Sequence, residues 1–139
     1  MTFSSGLGLA LLRITVGAIC VMHGYLGLVI GPAGIGGYTT QMGYPAALGP
    51  ALGWYMILGH GVGGVLLILG LFTRWAALAQ VPILASAFLL YHIRQGFFLA
   101  ADPGRGVAIG YEYILLILVA TVTLVLAGGG VLALDRRRR

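Results

Sequence analysis

The chain has 139 residues, of which only eleven are charged: eight Arg, no Lys, and three acidic residues, Asp102, Glu112 and Asp135. A soluble globular domain carries roughly a quarter charged residues, and a mean hydropathy of +1.03 excludes that class. The sixty residues from Ile14 to Thr73 hold no Asp, Glu, Lys or Arg at all, so the chain reads as a polytopic integral membrane protein.

A helix needs about 20 mostly apolar residues to cross roughly 30 Å of hydrocarbon. Four stretches meet that need, at approximately 7–30, 47–72, 75–93 and 107–132. They are apolar all round rather than alternating, as barrel strands would be. The expected fold class is therefore all-α, a four-transmembrane-helix bundle forming a single domain over residues 1–139. The spans consume most of the chain, so any chemistry is expected among the helices or on a partner.

The first span opens without a basic region and is interrupted by Arg13, which makes it a retained helix rather than a signal peptide. Arg13 lies about two turns in. Its long side chain can snorkel to the interface, turn inward onto helix carbonyls, or hold an anionic headgroup. Cys20 is the sole cysteine, so no intrachain disulfide or dithiol pair is available, and it reads as a small buried apolar residue. The connection that follows, GPAGIGGYTTQMGYPA over residues 31–46, carries no charge. Ile35, Tyr38 and Met42 recur at i, i+3 and i+7, which predicts a short interfacial helix between the first two spans. Tyr38 and Tyr44 suit the headgroup level, and the segment is expected to cap the bundle or dock a partner.

The second span carries the deepest polar residue, His60, on a face shared with Gly53 and Gly64, and a very short turn at Arg74 leads to the third. Gln80 and Ser86 in the third span, with Thr121 and Thr123 in the fourth, can hydrogen-bond between helices without further meaning. The next connection is polar, with Asp102, Pro103 and Gly104 as turn chemistry, while Phe97 and Phe98 are expected to dip back toward the membrane. Arg136 to Arg139 and Arg74 outweigh Arg94 and Arg105, so the positive-inside rule places both termini in the cytoplasm. The arginine tail is expected to meet anionic lipid, not nucleic acid.

Glycine contributes 24 residues. Gly17, Gly24 and Gly31 recur every seven residues with Gly27 between, and Gly49, Gly53, Gly63, Gly64 and Gly70 mark the second span. Such faces let helix backbones approach closely in lipid.

Ionisable residues at membrane depth are site candidates by default. Glu112, His92 and His23 fall at similar depth near the outer side, where they could line a pocket for a quinone headgroup or pass protons. Ordinary structural hydrogen bonding, including a helix-dipole role for Glu112, is the competing reading. His60 and His23 differ in depth by about 8 Å on simple helix rise, and no axial-ligand motif surrounds them, so haem is not expected. Neither a metal site nor a catalytic residue is evident.

Several strings resemble the DoxX family of small bacterial membrane proteins. LLRITVGAICVMHG is similar to its opening, with Arg13 and His23-Gly24. GIGGYTTQMGYPAALGPAL resembles its interfacial segment, HGVGGVLLILGLFTRWAAL its second helix and Thr-Arg turn, and GYEYILLILVA with the later ALDR its last helix and tail. The resemblance implies a four-helix membrane bundle in the bacterial inner membrane, and for some members kinship with subunits of quinone-linked oxidoreductases. It points to Arg13, His23, His92 and Glu112 as matching positions. Two positions depart from it, His60 where an acidic residue is usual and Gly27 where Lys is usual.

The leading expectation is a non-catalytic membrane subunit that docks on and stabilises a larger respiratory or photosynthetic complex. A quinone-binding or electron-transfer subunit of a membrane oxidoreductase is the alternative. A small transporter through Arg13, His60 and Glu112 is a weaker third, because paired repeats and broken helices are absent from the pattern.

Overall fold

The computed structural model describes residues 3–99 and 110–135. Helix α1 runs Phe3–Ile30, α2 Pro32–Gln41, α3 Gly49–Leu69, α4 Thr73–Ser86 and α5 Glu112–Ala127. A 3₁₀ turn, Ala46–Leu48, leads into α3, and α4 continues through a wide π turn, Ala87–Tyr91, and a 3₁₀ turn, His92–Gln95. The chain is an all-α membrane protein whose bundle is built from α1, α3, α4 and α5. Among the described residues, three units are long and apolar enough to cross a membrane: Phe3–Ile30, Ala46–Leu69 and Thr73–Gln95.

The fourth helix is shorter than the expected 107–132. It starts at Glu112 and stops at Ala127, a rise of about 24 Å. Hydropathy could not see the stop, because residues 131–134 are as apolar as the helix before them. The cause is the run Gly128-Gly129-Gly130, with Gly128 at φ 83° and Gly130 at φ 70°. The chain leaves the helix there and folds back across the bundle end, where Val131 N donates to Gly6 O at 3.0 Å. The expected positions Asp102, Pro103, Gly104, Arg105 and Arg136 to Arg139 lie outside the described residues.

The α1–α3 seam is made by glycine. A Cβ added at Gly17 would lie 2.7 Å from the Gly64 carbonyl oxygen, and one at Gly24 would lie 2.5 Å from Gly61 N. The heptad of small residues is therefore a packing surface at Gly17 and Gly24. Gly31 departs from it. At φ 81° and ψ 156° it breaks the chain between α1 and α2, and Pro32 follows at the first position of α2, where its missing N–H costs nothing. Helix α2 then turns back onto α3, burying Ile35 and Gly36, with Gly36 against the Gly49 backbone.

At the other end, α3 closes on Gly70 in the left-handed region, φ 66° and ψ 40°. Leu71 N donates back to Leu66 O at 3.0 Å, the cap that lets the chain reverse in three residues. Asp135 then caps α4: Phe72 N and Thr73 N donate to its two carboxylate oxygens at 2.7 and 2.8 Å.

Candidate functional site

Two polar constellations lie at opposite ends of the bundle. The first surrounds Arg13, which is 1% exposed. Its Nη1 donates to the Leu67 and Ile68 carbonyls at the end of α3, at 2.7 and 2.5 Å. Its Nε donates to Gly129 O at 3.1 Å and its Nη2 to Leu132 O at 3.4 Å. Leu67 and Ile68 lie in the last turn of α3, where carbonyls lack helical partners, although Leu67 O also accepts from Gly70 N at 3.1 Å. Gly129 lies in the glycine run after α5 and Leu132 just beyond it. Arg13 is thus the clasp that ties three segments together, its donors directed at carbonyl oxygens.

The second is a cavity of about 550 Å³ at the α2 end, within the range of pockets that enclose drug-sized ligands. All five helices contribute to it. His23 and Cys20 come from α1, Met56 and His60 from α3, Pro82 and Ser86 from α4, and Tyr113 and Ile114 from α5. Helix α2 and the turn after it supply Ile35, Tyr38, Met42 and Tyr44. The four residues singled out as interfacial therefore share one lining with the histidines. Ile35 is buried and Tyr38 half exposed, so α2 covers the cavity with one face and leaves the other outward.

His60 is 5% exposed. Its Nδ1 lies 2.5 Å from Gln80 Oε1, and Gln80 Nε2 donates to the Gly59 carbonyl at 2.5 Å. The His23 ring meets the His60 ring edge to face with centroids 5.9 Å apart. Helix rise alone had separated these two residues by about 8 Å in depth. The glycine contact at Gly24 and Gly61 brings α1 and α3 close enough for the rings to touch. His23 Nδ1 bonds to the Ile19 carbonyl at 2.9 Å. His92 lines the cavity from the 3₁₀ turn after α4.

Glu112 is not among the lining residues. Its carboxylate accepts from Leu99 N at 2.9 Å, and its own N–H donates to Phe97 O at 3.0 Å, so it fixes the start of α5 to the preceding connection. Phe97 packs edge to face on Tyr111, with centroids 5.3 Å apart. The structure thus brings His23, His60 and His92 to one cavity and leaves Arg13 and Glu112 on structural bonds.

Gln80, read from sequence as a plain interhelical bond, proves to be the partner of His60. The signal was present: α3 and α4 are antiparallel across a turn centred near Leu71, so residues about ten before and ten after it come level. The π turn at Ala87–Tyr91 had a weaker signal. Pro82 removes one helical N–H, and wide turns of this kind recur beside functional sites. Tyr113 gave no signal beyond being aromatic. Among the described residues, no three His, Cys, Asp or Glu side chains gather as a metal site.

The DoxX family matches residues 8–93, which spans most of α1 through the end of α4. A protein of Haemophilus influenzae (strain ATCC 51907 / DSM 11121 / KW20 / Rd), described as an uncharacterized protein, is 33% identical over 134 residues, covering 93% of this chain and 89% of that one. No solved structure matches. With more than half of its length matching, including Arg13, the His23-Gly24 pair and the cavity-covering α2, the chain belongs to the DoxX family.

Proposed function

We propose that the protein is a quinone-binding membrane subunit, taking the headgroup of a lipophilic quinone into the cavity beneath α2. The observation that carries this reading is the cavity itself. A subunit whose task is only to pack against others has no need of an apolar space of about 550 Å³ with His23, His60 and His92 on its wall. Its lining is mostly aliphatic and aromatic, with few polar groups, as sites for lipophilic ligands are. Contact with membrane lipid follows from the fold, and the cavity opens among helices whose outer faces are apolar.

The same reading places the protein in the bacterial inner membrane with both termini cytoplasmic, supported by Arg74 and the four closing arginines. The cavity then lies toward the outer leaflet and the Arg13 clasp toward the inner one. Electron transfer belongs to a partner oxidoreductase in this account, and the chain supplies the quinone site. Docking on a larger complex, without a ligand, is the simpler alternative. The test is extraction of the protein in native lipid nanodiscs, followed by mass spectrometry of bound small molecules. Isoprenoid quinone enriched over the surrounding lipid is the expected result, lost on Ala87→Phe, which places a ring on the cavity wall where Ala87 of the π turn lines it. Quinone at bulk abundance in both proteins, with stable co-purifying subunits, would favour the docking role.

A further inference from the structure

The two touching imidazoles have their tautomers set by partners that can only accept. A backbone carbonyl has no proton to give, so His23 Nδ1 donates to Ile19 O, 2.9 Å away. For His60 the assignment passes through Gln80. Its Nε2 faces the Gly59 carbonyl, which demands the amide nitrogen there and turns Oε1 toward His60 Nδ1. An amide oxygen also only accepts, so His60 Nδ1 carries the proton. In the neutral form of a ring whose Nδ1 carries the proton, the nitrogen left for a ligand is Nε2, a bare lone pair.

The neighbouring hydroxyls do not change this polarity. Thr39 donates to Gly36 O at 2.8 Å, Tyr55 to Ala79 O at 2.7 Å and Ser86 to Ile83 O at 3.0 Å. The hydroxyls of Tyr38, Tyr44 and Tyr113 donate and accept alike, and so favour neither kind of ligand. The cavity wall at His23 and His60 therefore offers two acceptors and asks for a donor.

The geometry points to a site that selects the hydroxyl form of a lipophilic ligand, a hydroquinone or a phenol, over the carbonyl form. This deepens the quinone-binding reading and rests on it for the headgroup, but not for the hydrogen-bond polarity. A carbonyl set against two lone pairs leaves both imidazoles unpaired, which costs about tenfold or more in affinity. Gln80 acts as a positioning residue, holding the His60 tautomer from behind.

The test uses the full chain in lipid nanodiscs, titrated anaerobically with four probes: a short-chain benzoquinone, its hydroquinone, the hydroquinone dimethyl ether, and a redox-inert para-alkylphenol. The hydroquinone and the phenol are expected to bind at least about tenfold tighter than the quinone and the ether. Gln80→Leu is expected to narrow that gap. Because Gln80 is wholly buried and its variant can fail to fold, nitrogen NMR of the histidines in the unaltered protein gives a second reading. It should show protonated Nδ1 and bare Nε2 in both rings. Equal affinity for quinone and hydroquinone, or protonated Nε2, overturns the inference and leaves quinone binding standing. Binding of the phenol but of neither quinone form keeps the donor preference and removes the quinone reading. Binding of none of the four overturns both.

Discussion

A guanidinium that is 1% exposed among apolar helices is sustained only by what it bonds, and Arg13 reaches four backbone carbonyls. Bonds from a charged donor are roughly twice as strong as neutral ones, although interhelical bonds in lipid often measure well under the expected value. Arg13→Met is therefore expected to cost about 2–4 kcal/mol, read as a fall in the thermal midpoint in detergent. Arg13→Lys should recover only part of it, because one ammonium cannot span the α3 end and the glycine run together. Charge alone marked Arg13 in the sequence. Which of snorkelling, carbonyl pairing or headgroup binding it performs depended on where the chain after α5 goes, and hydropathy carries no trace of that. The same holds for Glu112, whose partner Leu99 N belongs to an irregular connection. His60 was legible as an inward residue because Gly53 and Gly64 share its face, whereas its ring contact with His23 needed the α1–α3 spacing.

Helix α1 meets α3 through glycine, and the two ends of α1 differ sharply in what they tolerate. A Cβ at Gly24 would collide with the Gly61 backbone, while Gly8 has nothing within 4 Å. Gly24→Ala is expected to cost about 1–3 kcal/mol through forced separation of the helices, and to weaken the His23–His60 contact with it. Gly8→Ala should be neutral or slightly stabilising, since alanine is the better helix former by about 1 kcal/mol. Thermal unfolding of the two variants side by side checks the pair. The α4 cap is a second device at this scale. Asp135→Ala removes the carboxylate that receives Phe72 N and Thr73 N, and about 0.5–2 kcal/mol of stability is expected to go with it. The sequence showed the glycine periodicity and the short helix after α1. It hid the end of α5, because the apolar residues beyond the glycines look like more helix until the positive φ of Gly128 and Gly130 is known.

Across the whole molecule the polar groups divide by role. One end is closed by Arg13, Asp135 and the returning chain, all holding backbone groups. The other is hollow, roofed by α2 and walled by the other four helices, with the π turn and the histidines around the space. Closing one end firmly lets the other remain open without the helices parting. That division was only half legible beforehand. Four spans and a covering segment follow from composition and spacing, but the cavity is a property of helix rotation and of the glycine contacts that set it. The proposed occupant of this space is the headgroup of a lipophilic quinone. The most direct measurement is photolabelling of the protein in native membranes with an azidoquinone, followed by mapping of the labelled peptides. Labels on cavity residues such as Met56, His60 and Pro82, suppressed by excess quinone and by Ala87→Phe, are the predicted result. Labels confined to outward-facing residues such as Trp75, Leu116 and Leu126, indifferent to competitor, would contradict it.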